Sequence, residues 1–133
     1  MLAQPCTKFD SLVDRLNELA NHPEHITDIV IMSLKKEAEK VKTIDPSHGF
    51  SLLAMIACLE GKQADMRNNH EKALALSPHD PILWKNYAVS LAKCLCFEEA
   101  YEKAKQAYQL NHLEVSVLDT LIWIANKLEL EDE

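Results

Sequence analysis

Apolar residues recur along this chain at helical spacing. Phe9, Leu12, Val13, Leu16, Leu19 and Ala20 form one stripe, which His22-Pro23 ends. A second run, Ile26 to Ile44, places Leu34, Ala38 and Val41 on one face. Its β-branched start, Ile29-Val30-Ile31, also suits a strand, but the Lys35–Lys42 segment is strongly helix-forming, so the spacing predicts a helix. Phe50, Leu53, Ala54 and Ala57 share a face, as do Met66, His70, Ala73 and Leu74. Trp84, Tyr87, Ala88 and Leu91 make the next inner face, and Phe97, Ala100, Ala104 and Ala107 the one after it. A last run starts at Val115. The expectation is seven helices, in three pairs and a final single one.

The punctuation agrees. Gly61 lies between two runs, where a left-handed helix end needs a residue without Cβ. Asp80-Pro81 opens the following run. Aspartate caps free amides, and proline at the first helical position loses no hydrogen bond.

The runs also repeat. Phe50, Trp84 and Leu118 stand 34 residues apart, as do Leu53, Tyr87 and Leu121, and Ala54, Ala88 and Ile122. Ala73 matches Ala107, and Leu76 matches Leu110, in the same frame. This pattern resembles the tetratricopeptide repeat, whose consensus reads W-x2-L-G-x2-Y, then A-x3-F, A and a closing P. Trp84-x2-Tyr87-Ala88-x2-Leu91, Ala100, Ala104 and Ala107 follow it, as do Phe50-x2-Leu53-Ala54-x2-Ala57, Gly61, Ala73 and Pro78. Leu95 stands at the turn glycine, His112 at the closing proline, and Met66 and His70 at a small and an aromatic position. Ile44-Asp45-Pro46 resembles the end of a second helix, two residues off the 34-residue grid, so the joining loop there is expected to be shorter.

The resemblance implies an all-α, antiparallel helix-pair solenoid forming a single domain over residues 1–133. Residues 1–46 would be a divergent first pair, 47–80 and 81–114 two repeats, and 115–133 a capping helix with an acidic tail. In such solenoids the first helix of each pair lines the concave side, which in this family commonly holds a peptide. One column of groove positions is then Met55, Val89 and Trp123, and beside it run Leu52, Asn86 and Thr120. Ser51, Lys85 and Asp119 form another column, and Leu59, Lys93 and Lys127 a further one. The implied surface is an apolar strip with lysines along one side, built chiefly from Leu52, Met55, Lys85, Asn86, Val89, Lys93, Trp123 and Lys127. Alternate apolar side chains of a peptide would seat on the strip while the lysines meet its acids. Core burial, or cover by another subunit, is the competing reading of the same columns. Chaperone-binding members grip a C-terminal carboxylate with a lysine and asparagine clamp. Only Asn86 matches it here, with Ser51, Met55, Ser116 and Thr120 in the other places, so no such clamp is expected.

Composition narrows the function classes. Two glycines in 133 residues exclude dinucleotide and Walker loops, which need close backbone approach to phosphate. Net charge is −7, which argues against nucleic acid and anionic lipid as partners. Four of those excess charges come from Glu129, Glu131, Asp132 and Glu133. No apolar run is long enough for a membrane span, and Met1 to Thr7 has no secretory n-region, so a soluble cytoplasmic protein is expected. The four cysteines read as reduced thiols. Cys94-Leu95-Cys96 is the one arrangement that suggests metal, but zinc needs four ligands in paired spacings and the six histidines are scattered. No catalytic residue, metal or cofactor is expected. The function expected is protein–protein interaction, as an adaptor or chaperone holding a partner's peptide. The alternative is a structural subunit that homodimerises through its repeat faces.

Overall fold

The computed structural model describes residues 5–132, with side chains described from 8 to 129. The described residues form seven α-helices, one short 3-10 turn at Pro23–His25 and no strand. The helices are α1 (Pro5–Asn21), α2 (Asp28–Ile44), α3 (Pro46–Leu59), α4 (Gln63–Leu76), α5 (Pro81–Lys93), α6 (Phe97–Leu110) and α7 (Val115–Asp132). They group into two compact units that divide in sequence between Leu76 and Ser77.

The first unit holds α1 to α4. The stripe on α1 faces inward, with Phe9, Leu12, Val13, Leu16 and Leu19 all buried. The Thr27 hydroxyl caps α2 by accepting from the Val30 amide at 3.2 Å. Helix formation therefore wins over the β-branched preference of residues 29–31, because a capped N-terminus is followed by strong helix formers. Ile31, Leu34, Ala38 and Val41 are the buried side of α2.

Asp45 alone joins α2 to α3. It is the C-cap of one and the N-cap of the other, and its carboxylate accepts from the Ser47 hydroxyl at 2.9 Å. The other carboxylate oxygen lies 2.9 Å from Nδ1 of His48, whose ring stacks on Phe9 with centroids 4.2 Å apart. Pro46 is the first residue of α3 rather than the close of α2. The shorter join is thus a single residue. Helix α3 packs against α1, α2 and α4, and most of its side chains are interior.

The turn from α3 to α4 is a Schellman cap. The Gly61 amide donates to the Cys58 carbonyl at 3.1 Å and the Lys62 amide to Ala57 at 2.9 Å, with Gly61 at φ 76°. The second unit repeats this cap 34 residues later. There the Leu95 amide donates to Ala92 at 3.0 Å and the Cys96 amide to Leu91 at 3.0 Å, with Leu95 at φ 65°. Leucine thus occupies a glycine conformation, and its side chain is exposed. We expect Leu95→Gly to stabilise the protein by about 1 kcal/mol. The left-handed penalty of about 1–2 kcal/mol outweighs the added entropy of unfolded glycine. Urea unfolding reads this, and a lower midpoint for the variant would contradict it.

The second unit holds α5, α6 and α7, each packed on the other two. Asp80 caps α5 by accepting from the Ile82 amide at 3.0 Å. Leu83, Tyr87, Ala88, Leu91, Phe97, Ala100, Ala104, Ala107, Val117 and Ile124 make its interior. The alanines of α6 let α5 approach closely. Trp84 lies at the margin rather than inside. Its ring is half-buried, its indole N–H donates to the Pro78 carbonyl at 2.8 Å, and Lys103 sits over it at 5.7 Å. Tyr87 is the fully buried aromatic of this helix.

Candidate functional site

The expected strip is only partly open. In the first unit Leu52 and Met55 are both buried, because three neighbouring helices surround α3. In the second unit Asn86 is buried as well. Helix α5 is amphipathic only in a narrow sense, since seven of its thirteen residues lie inside between α6 and α7. These three positions are corrected to interior ones. An amide or thioether held inside the fold is not available to a peptide without unpacking it.

Five of the expected residues keep accessible surface, and all lie on α5 and α7 of the second unit. Lys85 and Val89 are half-buried and Lys93 is exposed. They follow one another at four-residue steps, one turn apart along a single edge of α5. On α7 the Trp123 side chain is 42% exposed, and the Lys127 ammonium lies 5.9 Å over its ring. Helices α5 and α7 pack together, and the 34-residue register puts Val89 with Trp123 and Lys93 with Lys127 at equivalent positions.

Two chemical properties follow. An indole left substantially in water offers a large flat anchor for an apolar side chain. Lys127 over the ring is worth roughly 0.5–1 kcal/mol at such an exposed position, enough to hold the indole in one pose but not to occupy it. Lys127 makes the flank of the indole cationic, in a chain that is acidic overall.

The other candidate groups stay apart. Cys58, Cys94 and Cys96 are half-buried thiols outside any disulfide, and the Cys96 sulfur lies 3.7 Å from the Cys94 carbonyl oxygen. Among the described residues no three His, Cys, Asp or Glu side chains gather closely enough to hold a metal ion. Cys6 lies outside the residues whose side chains are described. His22 and His25 stack at 5.5 Å on the exposed turn beside Glu24. His70 is interior, and burial pushes its imidazole down to about 3. No described helix is long and apolar enough to cross a membrane.

One surface was not anticipated. Val115, Leu118 and Ile122 are exposed on the side of α7 turned away from α5 and α6. The 34-residue frame assigns Leu118 and Ile122 the places of Trp84 and Ala88, against the second helix of their own pair. No described helix follows α7, so those places face solvent.

No protein-family model matches the chain, and no curated protein sequence matches it.

Proposed function

We propose that this protein is a tetratricopeptide-like interaction module that holds a peptide segment of a partner protein along α5 and α7. The reading rests on one observation: Trp123 stands 42% exposed, with Lys127 over its ring, in register with Val89 and Lys93 on the neighbouring helix. An exposed indole with an ammonium over its ring, together with an aliphatic residue and a second ammonium at the equivalent positions of the neighbouring helix, suits an acidic segment with apolar residues at every second or third position. The repeated Schellman caps, 34 residues apart, support the helix-pair solenoid that the sequence resembles. The peptide would then cross the second unit from Lys85 towards Lys127, and no cofactor or metal is invoked.

Panning a random twelve-residue peptide library displayed on phage tests this directly. We expect enrichment of acidic, apolar-spaced sequences, with binding that weakens as salt rises. The double variant Trp123→Ala with Lys93→Glu should lose the enriched peptides while keeping the helical circular dichroism of the parent. Both residues keep accessible surface, so neither fills the interior. Peptides retained equally by the double variant would show that the contact lies elsewhere. A second reading, a subunit that assembles with copies of itself, is favoured by a different surface, the outer side of α7.

A further inference from the structure

Helix α7 has two accessible sides. Trp123 and Lys127 occupy one flank. Its outer side, opposite the buried Val117 and Ile124, carries Val115 (68% exposed), Leu118 and Ile122 (49% exposed) at helical spacing. Beyond them the same side turns polar, with Asn126 and Glu129. Residues 124–132 hold three acids and one lysine. The helix is therefore mostly apolar over its first half, where Asp119 is the one exposed acid, and net acidic over its second. By contrast the outer side of α1 is polar throughout, with Lys8, Asp10, Ser11, Asp14, Arg15 and Glu18 exposed.

Helix α2 has the matching pattern. Its outer side opens with Ile29 (80% exposed) and Met32 (69% exposed) and continues one turn at a time through Lys36 and Lys40. Residues 35–44 hold four lysines and two glutamates. The glutamates are taken by lysines at the surface, Glu37 by Lys8 and Lys40 at 3.2 and 3.4 Å, and Glu39 by Lys42 at 3.3 Å. Such exposed pairs are weak and readily exchanged. The half of α2 that follows its apolar patch is thus net basic.

Laid side by side and parallel, the two outer sides complement each other. Ile29 and Met32 fall against Leu118 and Ile122, and the next turns bring Lys36 and Lys40 to the acidic half of α7. A parallel α7–α7 contact sets acid against acid and a parallel α2–α2 contact sets lysine against lysine, while an antiparallel contact of either kind carries the like-charged halves away from each other and gains no pairing of lysines with acids. Both faces are open to solvent, and a second copy supplies the complement of each.

We propose that the chain self-associates head to tail, the outer side of α7 in one copy covered by the outer side of α2 in the next. This contact is heterologous, joining two different surfaces, and each copy keeps one face of each kind for a further partner. It leaves Trp123 and Lys127 uncovered, so it does not depend on the peptide-binding reading.

Sedimentation velocity of the purified chain over a wide concentration range reads the association. We expect the mean mass to rise with concentration and to fall with added salt, because part of the attraction is between exposed charges. Ile29→Glu and Ile122→Glu each spoil one face and leave the other intact, and each should stay at the monomer mass. Mixed together they should form a one-to-one dimer and nothing larger, since only one good α7 face and one good α2 face remain complementary. Circular dichroism of each variant should equal that of the parent, as both residues are exposed. Three results would overturn the proposal: a parent that stays monomeric, an Ile29→Glu variant that still associates as an α7–α7 dimer would, or a mixture that does not pair.

Discussion

Gly49→Ala should destabilise the protein by about 3 kcal/mol, the upper part of the range for overpacking a close contact. Helix propensity alone gives the opposite sign. Gly49 lies within α3, and replacing a mid-helix glycine by alanine ordinarily gains about 0.5–1 kcal/mol. The sign reverses because α3 runs directly against α2 at this point. A Cβ on Gly49 would fall on Cα, Cβ and N of Lys42. Two of those atoms are backbone, so trimming the lysine side chain gives no relief, and the helices must separate. That separation also pulls at Asp45, the one residue that joins and caps both helices. Urea unfolding of Gly49→Ala, alone and with Lys42→Ala, measures the effect. The double variant should remain as unstable as the single one. A Gly49→Ala protein at least as stable as the parent would mean that the two helices do not approach so closely. Gly61→Ala forms a useful contrast, because nothing lies within 4 Å of its added Cβ and only the left-handed φ is strained.

The second large effect is a pH dependence carried by His70. Desolvation by burial holds its folded-state pKa at about 3, against an ordinary 6.5. Above pH 6.5 the imidazole is neutral in folded and unfolded chains alike, and pH has no leverage through it. Below that, the unfolded chain takes up a proton that the folded chain refuses. Stability therefore falls as pH is lowered from 6.5 towards 3, by about 1.4 kcal/mol per pH unit, or some 2 to 3 kcal/mol by pH 4.5. His70→Leu keeps a buried side chain of similar size that cannot titrate. The variant should lose this slope, whatever it does to stability at neutral pH. Glu37 does not confuse the comparison. Hydrogen bonds from Lys8 and Lys40 hold its carboxyl below the ordinary 4.5, so it acts at lower pH and acts equally in both proteins. Denaturant unfolding of parent and variant between pH 7.5 and 4.5 gives the difference. Parallel curves would show that His70 takes up a proton while folded.

Much of the architecture was legible in the order of residues. The stripe Phe9 to Leu19 is buried where its spacing put it, and all seven helices lie over the runs that predict them. Repeat positions behaved alike where both members meet a neighbouring helix, as with Ala54 and Ala88 or Ala73 and Ala107, all buried. The candidate site was legible only in half. Val89, Lys93, Trp123 and Lys127 keep accessible surface on α5 and α7, yet the same register placed Leu52, Met55 and Asn86 beside them, and these are interior. A column of equivalent positions shares a direction from its own helix. It does not share an environment, because that depends on how many other helices surround each one.

Periodicity, caps and turn residues are local, and they sufficed for the helices, their ends and the 34-residue spacing of the turns. A helix forms from hydrogen bonds and side-chain preferences within a few residues of one another, and those are written in order along the chain. Exposure is not local. Gly49 meets the backbone of Lys42 across the α2–α3 interface, Trp84 sits at the margin while Tyr87 on the same helix is buried, and Leu118 and Ile122 are exposed because no described helix covers them. Each outcome hinges on what stands across the interface, and the packing of distant segments fixes that, since burial is a property of the space between helices rather than of any one of them.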